Sequence, residues 1–189
     1  LKSILFAAAA LAAASLEVCA APPAAPATPL AAQLTTLTPR VIAWAEKLSS
    51  EGRASGIPLT PALARMAHAA GVRDPGNIRL VVVERIPLPD EPALRAAALK
   101  VGLSQSSALG MTLGYVVVVR RGYEDNVRLL SHEFRHVAQY EACGGIAPFL
   151  EVHLADLAAF GYEDSPFEVD ARAHEQDGPP KLRRASSGG

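Results

Sequence analysis

Residues 126–142 constrain this chain more than any other stretch. At about 100° of rotation per residue, Leu130, Phe134, Val137 and Ala138 share one side of a helix with Val127, and His132 and His136 fall together on the opposite side. Such a helix must seat its apolar stripe in a core while holding two imidazoles, one turn apart, toward whatever lies across from it. The rest of the chain therefore has to supply both a core and a facing wall.

The same stretch carries chemistry, because His132-Glu133-Phe134-Arg135-His136 is an H-E-x-x-H sequence. Two side chains one turn apart can bring ring nitrogens onto a zinc ion at ~2.0 to 2.1 Å. Glu133 lies beside the imidazoles and out of line with them, so it is set to reach a water on the ion rather than the ion. That water would be acidified toward a pKa of ~7, and Glu133 would take its proton and return it to a leaving amine. Tyr140 falls between His136 and Glu133 on the wheel, as a donor to a developing oxyanion or as a packing residue. The competing reading of the helix is two surface histidines in an i,i+4 network.

Elements around this helix suggest an α+β domain, mostly helical, with a small sheet next to the zinc helix. Thr38-Pro39 and Thr60-Pro61 each pair a cap with a first-turn proline, predicting helices over 38–52 and from 60 to Gly71. Residues 78–83 and 115–120 are β-branched strands, the second with four consecutive valines. Its edge could align an extended peptide by β-addition, or the strand could be buried in the core. Further helices are expected over 91–101, 146–160 and 166–176. His68, on the second helix, reads as an ordinary helix histidine.

The ends read differently. Lys2, the uncharged run Ser3 to Ser15, and Val18-Cys19-Ala20 form the pattern of a signal peptide over 1–20. That run is short of the ~20 apolar residues a membrane span needs. Leu16-Glu17-Val18 puts a charge and a branched residue where a lipoprotein signal wants small ones, which argues against acylation of Cys19. Residues 21–29, rich in Pro and Ala, form a tether; 30–176 make one domain; 177–189 are a disordered tail. The expected location is exported, periplasmic or secreted, with no membrane span after cleavage. Cutting after Ala20 would remove Cys19, leave Cys143 alone, and preclude an internal disulfide. With 18 Lys+Arg against 19 Asp+Glu, nothing in the charge favours nucleic acid.

Residues 129–140 resemble the active helix of the HExxH zinc metallopeptidases, and the downstream run Ser165-Pro166-Phe167-Glu168-Val169-Asp170-Ala171 is similar to the P-x-E-x-[ED]-A segment of bacterial gluzincin-like proteins. The resemblance implies a zincin-like fold, a secreted zinc-dependent peptidase acting on peptide or protein substrates, and Glu168 as third Zn2+ ligand with His132 and His136, Glu133 being catalytic. The chain departs from the thermolysin pattern at Arg172, four beyond Glu168, where that group has an acid. No residue stands out to orient the histidines. Ser165 and Glu168 also read as a capping box, a sufficient structural role for both. His153, His174, Glu163 and Asp170 are competing ligands. The metzincin extension is absent, since Gln139 and Ala142 stand in its glycine and third-histidine positions.

Three other functions remain consistent with the sequence. The first is an exported zinc-binding protein without turnover, with a closed site completed by His153 or His174. The second is a zinc hydrolase of a non-protein amide. The third is a helical binding protein in which the motif is coincidental and no metal binds.

Overall fold

The computed structural model describes residues 19, 28–102 and 108–178. The expected leader, Cys19 excepted, and most of the tether and tail lie outside these residues. The first helix, α1 (Pro29–Ser55), is opened by Thr28, whose Oγ1 accepts from the Ala31 N–H at 3.1 Å, with Pro29 in the first turn. The expected start at Thr38-Pro39 is corrected, because the helix runs straight through that pair. Thr38 caps nothing; its hydroxyl donates back to the Leu34 carbonyl at 2.8 Å. Leu34 and Leu37 are buried against Leu94 and Ala97, and this packing carries the helix past a proline that local preference reads as a start.

After the short strand β1 (Ile57–Pro58) comes α2 (Pro61–Ala69), capped by Thr60 as its sequence suggests. His68 on it is exposed. A 3₁₀ turn at Pro75–Asn77 leads into β2 (Arg79–Val83), followed by α3 (Pro92–Lys100). Strands β3 (Gly110–Leu113) and β4 (Val116–Arg120) form a hairpin, then α4 (Val127–Cys143), α5 (Ile146–Asp164) and α6 (Pro166–Ala173) complete the chain. The architecture is a mostly helical α+β domain with a four-stranded sheet of order β1-β2-β4-β3. Strands β2 and β4 run parallel with Leu80 opposite Val117, and β3 runs antiparallel to β4 with Thr112 opposite Val117.

That order decides the role of the valine-rich strand. Both flanks of β4 are paired, and Val116, Val117, Val118 and Val119 are all buried, so it is a core strand with no edge to offer. The edge belongs to β3, which the sequence pattern did not reveal. Its turn depends on Gly114, at φ 63°, where a Cβ would also press on Ile146 Cγ1 at 3.3 Å. Ser49 of α1 donates to the Leu113 carbonyl at 2.9 Å and ties the long helix to this edge.

Helix α4 divides the interior as its periodicity suggests. Leu130, Phe134, Val137 and Ala138 pack with Ile78, Leu80, Val117 and Val119 in one core. Its C-terminal half joins a second core, in which Tyr140, Phe149 and Phe167 stack around Ala45 and Leu113. Gly144 closes the helix at φ 88°. Cys143, expected to be a single thiol, is disulfide-bonded to Cys19, with their Cα atoms 5.4 Å apart. The expectation assumed removal of Cys19 with the leader, and a chain that keeps Cys19 has its partner within reach. Among the described residues no single helix is long and apolar enough to cross a membrane; α4 and α5 reach that threshold only as a pair bent by 111°.

Candidate metal centre

Two helices bring the donors together. Helix α4 supplies His132 and His136 from the face opposite its core stripe, and α6 supplies Glu168 from its first turn. Gly161, at φ 75°, breaks α5 before α6 begins at Ser165. The capping-box role of Glu168 is not realised, since Ser165 makes no side-chain cap bond and its Oγ is buried without a partner. Glu168 instead turns its carboxylate to the histidines and is 3% exposed.

The spacing of the donors is the decisive geometry. The two Nε2 atoms are 3.1 Å apart, His132 Nε2 is 3.4 Å from Glu168 Oε2, and His136 Nε2 is 3.5 Å from Glu168 Oε1. Ligand bonds of ~2.0 to 2.1 Å in a tetrahedron give an edge of about 3.3 Å. His132, His136 and Glu168 thus form a cluster geometrically suited to a divalent metal ion.

The proton positions on the rings follow from their outer neighbours. Gln139 Nε2 donates to the Phe167 carbonyl at 2.9 Å and to Asp170 Oδ2 at 2.7 Å, both of which only accept. That orientation leaves Gln139 Oε1 facing His136 Nδ1 at 2.7 Å, so Nδ1 carries the proton and Nε2 has its lone pair free. His132 Nδ1 lies 3.2 Å from the Glu175 carboxylate, which fixes the same tautomer. Two lone pairs therefore face each other beside a carboxylate oxygen, Glu168 Oε2, that is buried with no hydrogen-bond partner. A cation between them satisfies all three, and the donor set fits zinc.

Charge around the cluster agrees. Burial alone would raise the Glu168 pKa, but His132, His136 and His153 outweigh it and hold the carboxyl down at about 2. Burial also opposes charging of His132, yet Glu168, Glu133 and Glu175 prevail and raise its pKa. Glu133 is 5% exposed, and burial raises its pKa above the usual carboxylate range. Thr112 of the edge strand donates to Glu133 Oε2 at 2.7 Å. Glu133 Oε1 faces Gly110, where a Cβ would collide with it.

The remaining sequence candidates sort out clearly. Tyr140 donates to the Thr112 carbonyl at 3.2 Å and is packed on Phe149, so its hydroxyl is already engaged and its role is structural. Asp170 makes a two-pronged pair with Arg135, at 2.7 and 3.0 Å, and stands behind the ligands. His174 Nδ1 contacts the Asp170 carbonyl at 2.8 Å, and Glu163 is exposed beside Arg172; neither joins the cluster. His153 comes nearer, with Nε2 3.9 Å from Glu168 Oε1 and a buried, unpartnered Nδ1. Sequence reasoning missed Gln139, Glu175 and Thr112. Gln139 carried a usable signal, since three residues beyond His136 on a helix is within reach of its ring.

The three donors, with Glu133, Thr112, His153 and Glu175, line a cleft of about 750 Å³, while Gln139, Asp170 and His174 lie outside its lining. The chain matches no protein-family model, no curated protein and no solved structure at a significant level. The site's own geometry is what bears on function.

Proposed function

We propose that this chain is an exported zinc-binding protein that hydrolyses peptide bonds, with His132, His136 and Glu168 holding the ion and Glu133 acting as general acid and base. The observation that carries the reading is a three-donor cluster set in the wall of an open cleft, with a second acidic side chain, Glu133, buried beside the donors and outside their set. Structural zinc sites are closed by four protein ligands, whereas catalytic ones keep a position free. Gluzincin-type peptidases are the class this donor set and the sequence of α4 favour.

When bound, zinc supplies Lewis acidity to a substrate carbonyl and to a water molecule. The chain supplies the rest. Glu133 is poised as the proton carrier: its raised pKa suits it to hold a proton between removal from water and delivery to the leaving nitrogen. Thr112 fixes Oε2, and Oε1, facing Gly110, is the atom free to exchange the proton. Gln139 and Glu175 hold both imidazoles with Nε2 inward. The unpaired side of β3 runs past Glu133, where an extended backbone can align.

A second reading, zinc binding without turnover, draws on His153, whose Nε2 lies 3.9 Å from Glu168 Oε1 and suits a fourth ligand closing the site. Zinc content and cleavage of a mixed peptide library, measured on wild type and Glu133→Gln, separate the two. One zinc per chain in both proteins, with cleavage in the wild type alone, is the expected result. Zinc without cleavage in either, and weaker zinc binding in His153→Phe, would establish the closed site. Absence of zinc in the wild type would overturn both readings.

A further inference from the structure

Cys19 lies inside the expected leader, yet the fold uses it. It is half-buried and bonded to Cys143, the last residue of α4. Cys143 packs on the core cluster that holds Tyr140, Phe149 and Phe167, so the bridge closes on the helix of His132 and His136 and on the cluster that seats the residue before Glu168. The Cα separation of 5.4 Å falls within the ~4.4–6.8 Å that a disulfide spans. The connection onward to α1 is long enough. Nine residue steps lead from Cys19 to Thr28, with a reach of up to ~30 Å. That exceeds the ~24 Å of helix between Thr28 and Trp44, which packs on the same cluster as Cys143. The chain has two cysteines, and losing either one leaves an unpaired thiol in an oxidising compartment.

A leader is cut where small residues stand one and three places before the bond. Val18 and Ala20 meet that requirement, and so do Ala12 and Ala14 at the end of the apolar run. The upstream pair is the closer match, both residues being alanine, and the run before it, Ile4 to Leu11, has the ~7–15 residues of a leader core. Only the upstream cut keeps Cys19. We propose that the exported chain is cleaved between Ala14 and Ser15 and that Cys19, retained in the mature protein, is oxidised to a disulfide with Cys143. In the first step water adds across the Ala14–Ser15 amide, leaving a carboxylate on Ala14 and an amine on Ser15. In the second the two thiols lose two protons and two electrons to a disulfide-bearing oxidoreductase of the export compartment, whose own disulfide becomes a dithiol. A Cys19 sulfur held by Cys143 carries no thioether-linked lipid. The inference rests on the export part of the proposed function, and on neither zinc nor hydrolysis.

The test uses the full chain behind an initiator methionine in an exporting bacterial host. Protein from outside the cytoplasm is read by N-terminal sequencing and intact mass, and its thiols are alkylated in denaturant before and after reduction. The expected result is a monomer that starts at Ser15, takes up no alkylating reagent before reduction and takes up two equivalents after it. Cys19→Ser is expected to keep the Ser15 start and to show one reactive thiol without reduction. An exported protein that starts at Ala21 with one free thiol, carries lipid on Cys19, keeps both thiols free or is linked to a second chain through its cysteines would overturn the inference and leave export standing. A chain found only in the cytoplasm with its leader attached sinks export and the inference together.

Discussion

Replacing Gln139 by leucine tests the site through a residue that touches no metal. Gln139 accepts from His136 Nδ1 and donates to the Phe167 carbonyl and to Asp170, so one side chain sets a ligand's tautomer and pins the helix that bears Glu168. Leucine is close in size but leaves the His136 Nδ1–H and the Phe167 carbonyl unpaired in a buried setting. Each such loss costs about 1–3 kcal/mol, against a total stability of about 5–15 kcal/mol for an ordinary domain. On the metal side, removing a partner that orients a histidine ligand weakens affinity about 10- to 100-fold, or about 1.4–2.7 kcal/mol. Glu175→Gln is the mild companion: it keeps an acceptor for His132 and removes only the charge, so it should fall at or below the lower end of that range. Zinc dissociation constants from competition with a chelator of known affinity, with helical circular dichroism to confirm folding, give the comparison. A folded Gln139→Leu protein that binds zinc within twofold of wild type would refute the orientation argument.

The same contacts lead to other outcomes. Free zinc at a thousand times its dissociation constant should stabilise the protein by about 4 kcal/mol, on the order of 10 °C in melting temperature, and Glu168→Ala should abolish most of that shift in a thermal melt. Asp156 is buried on α5, and burial lifts its carboxyl to about 6 from an ordinary 3.8. A raised acid leaves stability intact below pH ~4 and erodes it as pH climbs through 6, so Asp156→Asn should gain about 1–2 kcal/mol at pH 7.5 and nothing at pH 4 in urea titrations. Protein that retains Cys19 should show no reactive thiol until reduced, because Cys19 and Cys143 are paired; alkylation of Cys143 without reductant in such protein would refute the bridge. Gly110→Ala should leave zinc content unchanged while cutting peptide cleavage at least tenfold, because the added methyl occupies the space of Glu133 Oε1.

What could be read from the chain depended on whether the information was local. Helix α4 was legible because 3.6-residue periodicity separates its core stripe from its histidines without reference to anything else. Strands β2 and β4 announced themselves through branched residues. Strand β3 did not: Gly110-Met111-Thr112-Leu113 has a weak strand signature, and it becomes a strand because β4 offers a pairing edge. The start of α1 was misplaced for a related reason, since Thr-Pro occurs at both Thr28-Pro29 and Thr38-Pro39, and only the burial of Leu34 and Leu37 between them selects the earlier one. Capping and ligation by Glu168 were indistinguishable in sequence, and the bare Ser165 hydroxyl separates them.

The attachment of α6 argues that the metal cluster is formed before any metal arrives. Helix α6 has only eight residues, too short to persist alone, yet it docks through contacts that need no ion. Phe167 is fully buried against Tyr140 and Phe149, Arg135 grips Asp170 at two points, and Gln139 holds the Phe167 carbonyl. Glu168 is thereby delivered beside the histidines whether or not a cation is present, unlike small zinc domains that fold only around their ion. Chelation should accordingly leave the far-ultraviolet dichroism unchanged at 25 °C while lowering the melting temperature. Asp170→Asn combined with Arg135→Met, which removes the strongest metal-independent link, should make helix content depend on zinc. A protein that loses helix on chelation without those substitutions would show instead that the ion assembles the site.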